Sequence, residues 1–400
     1  METRIKSLTW QGLGRTEDGQ YLPRVLPGEV VEVGEGTAFR IVTPSADRIA
    51  AVCRHYKGCG GCSMQHAGDD YIANWKTDVV ARALAAQGIE AEIAGVETSP
   101  PGSRRRAKFA GRRGKSGALV GFHGRASEVL TQVPDCLLVM PQITAGLPAL
   151  EALTLLAASR KTAAALTVTQ SEAGLDVMVE SEKQMNIQLE SELPALAAKY
   201  KLARISWNGE IVATLNAPYQ TFGAAKVVPP PGAFLQATGP GEALLLAHIR
   251  KAVSGAAKVV DIFAGCGTFA LPLAEDATVH AVEGDAAMID ALDLGWRQAK
   301  GLKTVTTEVR DLFRRPLLPD ELRAYGAAVI DPPRAGAQAQ IETLAESQIP
   351  IIAMVSCNAV TFARDAKTLV DAGYTPGPVT IIDQFRWSAH VELVSQFTLR

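Results

Sequence analysis

Asp261-Ile262-Phe263-Ala264-Gly265-Cys266-Gly267-Thr268-Phe269 is the stretch from which the fold can be read. An apolar run over 258–263 enters a turn with two glycines, and an Ala/Leu-rich helical stretch over 268–274 follows. Gly265 and Gly267 let the backbone approach a ligand closely, and in open α/β sheets ligands sit at the carboxyl ends of the strands. Outward from this turn the rhythm repeats. Thr278–Glu283, Val305–Val309, Ala327–Ile330 and residues 351–355 are further apolar runs of buried-strand character. Residues 286–300, 340–347 and 359–372 supply the intervening helices. Such alternation implies an α/β architecture with a mostly parallel, doubly wound sheet.

Two last runs, Val379–Asp383 and residues 390–399, leave no room for a helix between them and predict an antiparallel hairpin at the sheet edge. Seven strands with a terminal hairpin point to a Rossmann-like methyltransferase domain over 231–400. Glu283 ends the second strand, 22 positions after Asp261, where a carboxylate can take both hydroxyls of a ribose. Asp311 follows the third strand, within reach of an adenine amino group. Position 270 is Ala, so the third glycine of a dinucleotide fingerprint is missing. That favours S-adenosylmethionine over NAD.

Asp331-Pro332-Pro333-Arg334 closes the fourth strand, and two prolines stiffen the loop that presents Asp331. Taken alone, Asp-Pro-Pro is also the motif of enzymes that methylate base amino groups, although those usually continue with an aromatic residue where Arg334 stands. The fifth strand stops at Ser356-Cys357-Asn358, beside a helix expected from Ala359. A helix N-terminus there is placed to stabilise a thiolate. His390-Val391-Glu392 follows 35 positions on, and along a strand Glu392 would face the same side as His390. A cysteine and a carboxylate beside a methyl donor suit one reaction. C5 of uracil is a poor nucleophile, and thiolate addition at C6 makes it an enolate carbon able to attack a sulfonium methyl. A base, Glu392, then removes the C5 proton so that the thiol can leave.

These residues resemble the RNA uracil-C5 methyltransferases, which make 5-methyluridine. The resemblance runs through Phe234-Leu235-Gln236, the glycine loop, Asp331–Gly336, Ser356-Cys357-Asn358 with Ala363-Arg364-Asp365, and His390-Val391-Glu392. It implies Cys357 as nucleophile and Glu392 as proton acceptor. It also implies donor contacts from Gln236, Phe263, Glu283 and Asp311. Gly265, Gly267, Thr268 and Asp331 line the same expected donor site, while Asp331 and Arg334 are expected to hold the substrate. Many members carry Asn where Thr268 stands.

Residues 1–50 alternate short β-like runs, among them 29–33, with turn signals such as Gly12, Gly34 and Gly36. They predict a small closed β-barrel. With Leu26-Pro27-Gly28-Glu29 they resemble the OB-like TRAM domain, an RNA-binding barrel. Residues 51–230 are expected to form a central α+β domain, ended by Pro229-Pro230-Pro231-Gly232, with a helix over 71–87 expected to pack on the methyltransferase domain. Cys53, Cys59, Cys62 and Cys136 leave four thiols for one site. By geometry they suit structural zinc or an iron–sulfur cluster equally. The pattern, with Gly60-Gly61 before Cys62, resembles the ribosomal-RNA branch of the family, which implies a 4Fe-4S cluster and 23S ribosomal RNA as substrate. The transfer-RNA branch generally lacks these cysteines. Methylation of transfer RNA at the same carbon and a non-catalytic iron–sulfur RNA-binding protein remain the alternatives.

The chain as a whole is nearly neutral, with 40 Lys and Arg against 42 Asp and Glu, which excludes a uniformly basic protein. Against that background Arg104, Arg105, Arg106, Lys108, Arg112, Arg113 and Lys115 stand in a segment without acidic residues, and phosphate contact is expected of them. With 47% hydrophobic and 20% charged residues a full core is expected. The longest uncharged apolar stretch, 136–150, carries two prolines and Gln142, so no membrane span is expected. The start, Met1-Glu2-Thr3-Arg4, has no signal-peptide character, and a cytoplasmic monomer is expected.

Overall fold

The computed structural model describes residues 2–34, 38–115 and 117–399. Met1 and Gly36, used above, lie outside them. Residues 2–43 form a five-stranded sheet in the order Tyr21–Pro23, Leu13–Thr16, Glu2–Leu8, Val30–Val33, Phe39–Thr43. Its outer strands do not pair with each other among the described residues, where a closed barrel was expected. The sheet has a small core of Ile5, Leu22, Val25 and Val31. Glu29 is fully buried beside it and accepts bonds from Leu26 N at 2.8 Å and Arg48 Nη2 at 2.9 Å. The Leu26–Glu29 turn is thereby tied to the chain that leaves the sheet.

A seven-stranded central sheet follows, in the order Glu210–Thr214, Arg204–Trp207, Gly174–Glu180, Ala164–Ser171, Arg106–Arg113, Ala118–His123, Leu130–Thr131. Helices Leu147–Ala157 and Ile187–Tyr200 cover it around a core that includes Phe109, Leu150, Val177 and Trp207. The basic segment is thus a β-hairpin of this sheet.

The C-terminal sheet runs Val305–Val309, Thr278–Glu283, Lys258–Ile262, Ala327–Ile330, Ile351–Ser356, Leu393–Leu399, Val379–Asp383, Ile93–Thr98. Successive residues on a strand point to opposite faces. Ile352 and Met354 therefore enter one core, while Ala353 and Val355 enter the other. Both faces are covered, which is why these strands read as unbroken apolar runs.

Three expectations are corrected here. The terminal hairpin is not the edge: Leu393–Leu399 is antiparallel between Ile351–Ser356 and Val379–Asp383, and Ile93–Thr98 pairs in parallel outside it. The last strand starts at Leu393, so His390 and Glu392 lie in the loop before it. That loop is held by non-strand contacts: Trp387 has φ 56°, and its carbonyl accepts from Ser63 N and Met64 N, both at 2.9 Å. The division at residue 230 is also displaced. Phe222, Ala225 and Val227, placed before that boundary, join the C-terminal core, and the helix expected over 71–87 runs Asp69–Ala86 and packs on helix Ala359–Asp371. Among the described residues no helix is long and apolar enough to cross a membrane.

Candidate active site

The glycine turn follows strand Lys258–Ile262 in a backbone that few residues adopt: φ is 65° at Phe263, 56° at Gly265 and 89° at Gly267. A Cβ on Gly267 would lie 2.8 Å from both Leu271 Cδ1 and Leu292 Cγ, so no larger residue fits. Thr268 lies in the same turn. Glu283 accepts from Gly265 N at 3.0 Å and from Gly284 N at 2.6 Å, which locks the acidic side chain to the loop. Asp311 accepts from Phe313 N at 3.1 Å. Phe313 is exposed and its ring stands 5.4 Å from that of Phe263, centre to centre. Sequence reasoning missed this second aromatic; its signal was an apolar residue two positions after Asp311.

Asp261, beneath the turn, is fully buried and neither carboxylate oxygen has a hydrogen-bond partner among the described residues. Burial, with Asp331 nearby, pushes it up to about 8.

Strand register brings the chemistry together. Ser356 pairs with Leu393, so Cys357 and Glu392 each stand one residue beyond that pair, just past the ends of neighbouring strands. Asp331 follows Ile330, which pairs with Met354 on one side and Ile262 on the other. Glu392 is 3% exposed and accepts from Gln384 Nε2 at 2.9 Å. Gln384 Nε2 also donates to Gln236 Oε1 at 2.7 Å, and Gln236 Nε2 donates to Asp331 Oδ2 at 2.8 Å. Gln384 was not singled out in the sequence. Burial raises Asp331 to about 7, and burial plus Asp331 raise Glu392 well above the usual carboxylate range.

Cys357 is half-buried at the start of helix Ala359–Asp371, which Asn358 caps by accepting from Val360 N at 3.0 Å. The expected thiolate stabilisation there is outweighed. Burial, then Glu392 and Asp331, push the thiol up to about 11, against a smaller lowering by Arg334. Asn358 Nδ2 donates to Arg334 O at 3.1 Å, joining the nucleophile segment to the proline loop. Arg364 and Asp365 bond each other and lie against Gly336, whose φ of 76° suits glycine. They buttress the same loop from behind.

Cys357 and Arg334 open onto a cavity of about 270 Å³ that is also lined by Trp10, Arg82 and His390. A second cavity, of about 730 Å³, shares Trp10, Arg334 and His390 with the first and is lined by all four of Cys53, Cys59, Cys62 and Cys136. Burial raises Cys62 to about 12. Among the described residues, no three His, Cys, Asp or Glu side chains form a group able to hold a metal ion.

The basic segment divides. Arg105 is buried, ion-paired with Glu242, and donates to Gln236 O at 3.0 Å; it holds the fold and does not face solvent. Arg106 donates to Gly232 O at 2.8 Å. Lys108 pairs with Glu180 at 2.6 Å and Arg112 with Glu128 at 3.4 Å. Arg104 and Lys108 line the cysteine cavity, and Arg113 and Lys115 are exposed. The partners Glu128, Glu180 and Glu242 come from outside the segment, so counting charges within it overstated the free cations.

This geometry has known counterparts. The tRNA (Uracil-5-)-methyltransferase family matches residues 234–397. An uncharacterized RNA methyltransferase of Brucella suis is 43% identical over 396 residues, covering 97% of this chain and 94% of its own. The 23S rRNA (uracil(1939)-C(5))-methyltransferase of Halomonas elongata is 30% identical over 423 residues, covering 96% of this chain and 86% of its own. The crystal structure of Pyrococcus abyssi tRNA (uracil-54, C5)-methyltransferase with S-adenosyl-L-homocysteine shares the fold, with a TM-score of 0.79 at 21% identity over 100% of this chain and 99% of that one. With two relatives matching nearly end to end and the family pattern lying across the strand ends that carry Cys357 and Glu392, the chain belongs to the RNA uracil-C5 methyltransferase family.

Proposed function

We propose that this enzyme methylates C5 of a uridine in 23S ribosomal RNA, with Cys357 as nucleophile and Glu392 as the base that removes the C5 proton. The observation that carries the assignment of residues is the Ser356–Leu393 register, which sets thiol and carboxylate side by side at the sheet's ligand-binding end. S-adenosylmethionine supplies the electrophilic methyl group. The residues fit a cationic donor: Asp261 has two unpartnered oxygens beneath the glycine turn, and Asp331 stands nearby. Phe263, Gly265, Gly267, Thr268, Glu283 and Asp311 surround the nucleoside end, and Gln236 bridges to Asp331.

In this reading the Cys357 sulfur, once deprotonated, adds to C6. The C5 carbanion takes the methyl group, Glu392 accepts the C5 proton, and the sulfur leaves with the pair that formed the C6 bond. The raised Cys357 thiol makes charge balance part of the chemistry, because positive charge beside Asp331 and Glu392 offsets the field that holds it protonated. Asp331 and Arg334 are assigned to the pyrimidine's polar edge and the RNA backbone.

The four cysteines are assigned to a 4Fe-4S cluster on their shared cavity alone, since in this structure their side chains are not gathered into a metal-holding group among the described residues. Together with the N-terminal sheet, read as a TRAM-type RNA-binding unit, they favour the ribosomal substrate, as does the Halomonas relative. Arg104, Arg113 and Lys115 are the remaining phosphate contacts.

The test is a covalent adduct with RNA carrying 5-fluorouridine, in which fluorine replaces the proton Glu392 must take. The adduct should form with the full chain and vanish in Cys357→Ala; its persistence there removes Cys357 from the role. Mapping 5-methyluridine in ribosomal and transfer RNA from cells with and without the gene decides the substrate. Iron and sulfide analysis of anaerobically purified protein decides the cluster, with zinc alone refuting it.

A further inference from the structure

Trp10 is half exposed, at 47%, and lines both cavities. It stands at the tip of the hairpin that joins Glu2–Leu8 to Leu13–Thr16. That tip is a fixed turn. Thr9 N donates to Leu13 O at 2.8 Å, Gly12 N to Thr9 O at 2.9 Å, and Leu13 N to Thr9 Oγ1 at 3.1 Å. It is also docked, since a Cβ on Gly12 would lie 3.0 Å from Met64 Sδ and 3.4 Å from Ala389 Cβ. The N-terminal sheet therefore presents Trp10 from a fixed backbone turn, where Arg334 and His390 also line both cavities. Burying this side chain in the N-terminal core would have been the stable use of it. The surroundings carry cations: Arg82 lines one cavity and Arg104 and Arg125 line the other, beside Lys108 and Arg386, whose charges are met by Glu180 and Asp69.

An exposed aromatic plane amid cations suits a nucleobase with its phosphate nearby. We propose that Trp10 is the platform on which the base adjoining the target uridine stacks, so that the N-terminal sheet sets where single-stranded RNA enters the Cys357 cavity. This rests on the proposed RNA methylation. A target base must leave its own stack to reach the thiol, and a neighbouring base left unstacked needs a substitute surface. Trp10 supplies it without touching the reacting atoms, which makes it a positioning residue.

The experiment uses the full chain and a short RNA substrate, with variants Trp10→Ala and Trp10→Phe. Stacking on an aromatic side chain is worth enough that alanine should raise KM for RNA roughly ten- to a hundredfold. kcat should change much less, and phenylalanine should restore most of the loss. Two further RNAs, abasic on the 5′ or the 3′ side of the target, identify the partner base. With one of them the unmodified chain should lose the same factor, and Trp10→Ala should lose nothing more. Affinity for S-adenosylmethionine should match in all three proteins. An unchanged KM in Trp10→Ala overturns the inference, as does an alanine penalty that stays the same on both abasic RNAs. Should Trp10→Ala fail to fold, the unmodified chain still decides: full KM on both abasic RNAs refutes the stacking. If the unmodified chain makes no 5-methyluridine, the functional reading itself fails, whereas good turnover with an indifferent Trp10 sinks only this proposal.

Discussion

Gln384 Nε2 donates to Glu392 Oε2 at 2.9 Å, and the same amide places Glu392 in one hydrogen-bonded chain with Asp331. The orientation of Gln384 is fixed, because its Oε1 accepts from Ala237 N at 2.8 Å. Two buried glutamines thus link the buried Glu392 carboxyl to the half-buried Asp331 carboxyl.

Removing that clamp should cost rate. Buried hydrogen bonds to a charged group are worth about 1–3 kcal/mol, so Gln384→Ala should lower kcat about ten- to a hundredfold. Steady-state methyl transfer to RNA checks this, and an unaltered kcat would mean that Glu392 needs no orienting partner.

Glu392→Gln should separate attachment from release. The adduct should still form, but turnover should fall by about 10²–10⁴ because proton removal is lost. Single-turnover kinetics with unmodified RNA should then show protein-bound RNA accumulating, which the unmodified enzyme does not show.

Both groups act without their protons, and both are raised: Cys357 to about 11 and Glu392 well above its usual range. The rate should therefore still be climbing as pH rises towards about 11, whereas a thiol at the ordinary value of 9.0 would level off sooner. Glu392→Gln should retain only the later, Cys357-dependent limb.

Asp261 makes stability itself depend on pH. Its folded value of about 8 lies above the ordinary 3.8, so the folded chain holds a proton that the unfolded chain releases. The stabilisation is complete below about 3.8 and is lost as pH rises through about 8. Asp261→Asn should flatten this fall, seen as a smaller difference in Tm between acidic and mildly alkaline buffer.

Lys76 and Asp383 form an ion pair at 2.6 Å with 0% and 2% side-chain exposure. Breaking such a pair leaves one buried charge alone, so Lys76→Ala should destabilise the chain by about 3–5 kcal/mol in urea unfolding. Since Asp383 immediately precedes Gln384, activity should fall with it.

The glycine turn, the strand–helix alternation over 258–371 and the place of Cys357 at a strand's carboxyl end were legible because they depend on local patterns. Period and turn chemistry sufficed for them. What stayed hidden depends on partners remote in sequence. Ile93–Thr98 pairs with Val379–Asp383 across nearly the whole chain. Arg105 looked like a phosphate ligand until Glu242 was placed against it. Residues 390–392 read as strand because Val391 is apolar and continues the run, whereas it is buried in the core from a loop rather than from the sheet.

The pairing of Ile93–Thr98 has a consequence for how the molecule can be made and divided. A ribosome releases that strand long before its mate exists, so the early segment must wait, unpaired, for the last residues to emerge. A fragment that starts at the triple proline would leave Val379–Asp383 as a bare, sticky margin and should clump. Split versions meant to reassemble should carry residues 69–98 on the same piece as the catalytic end.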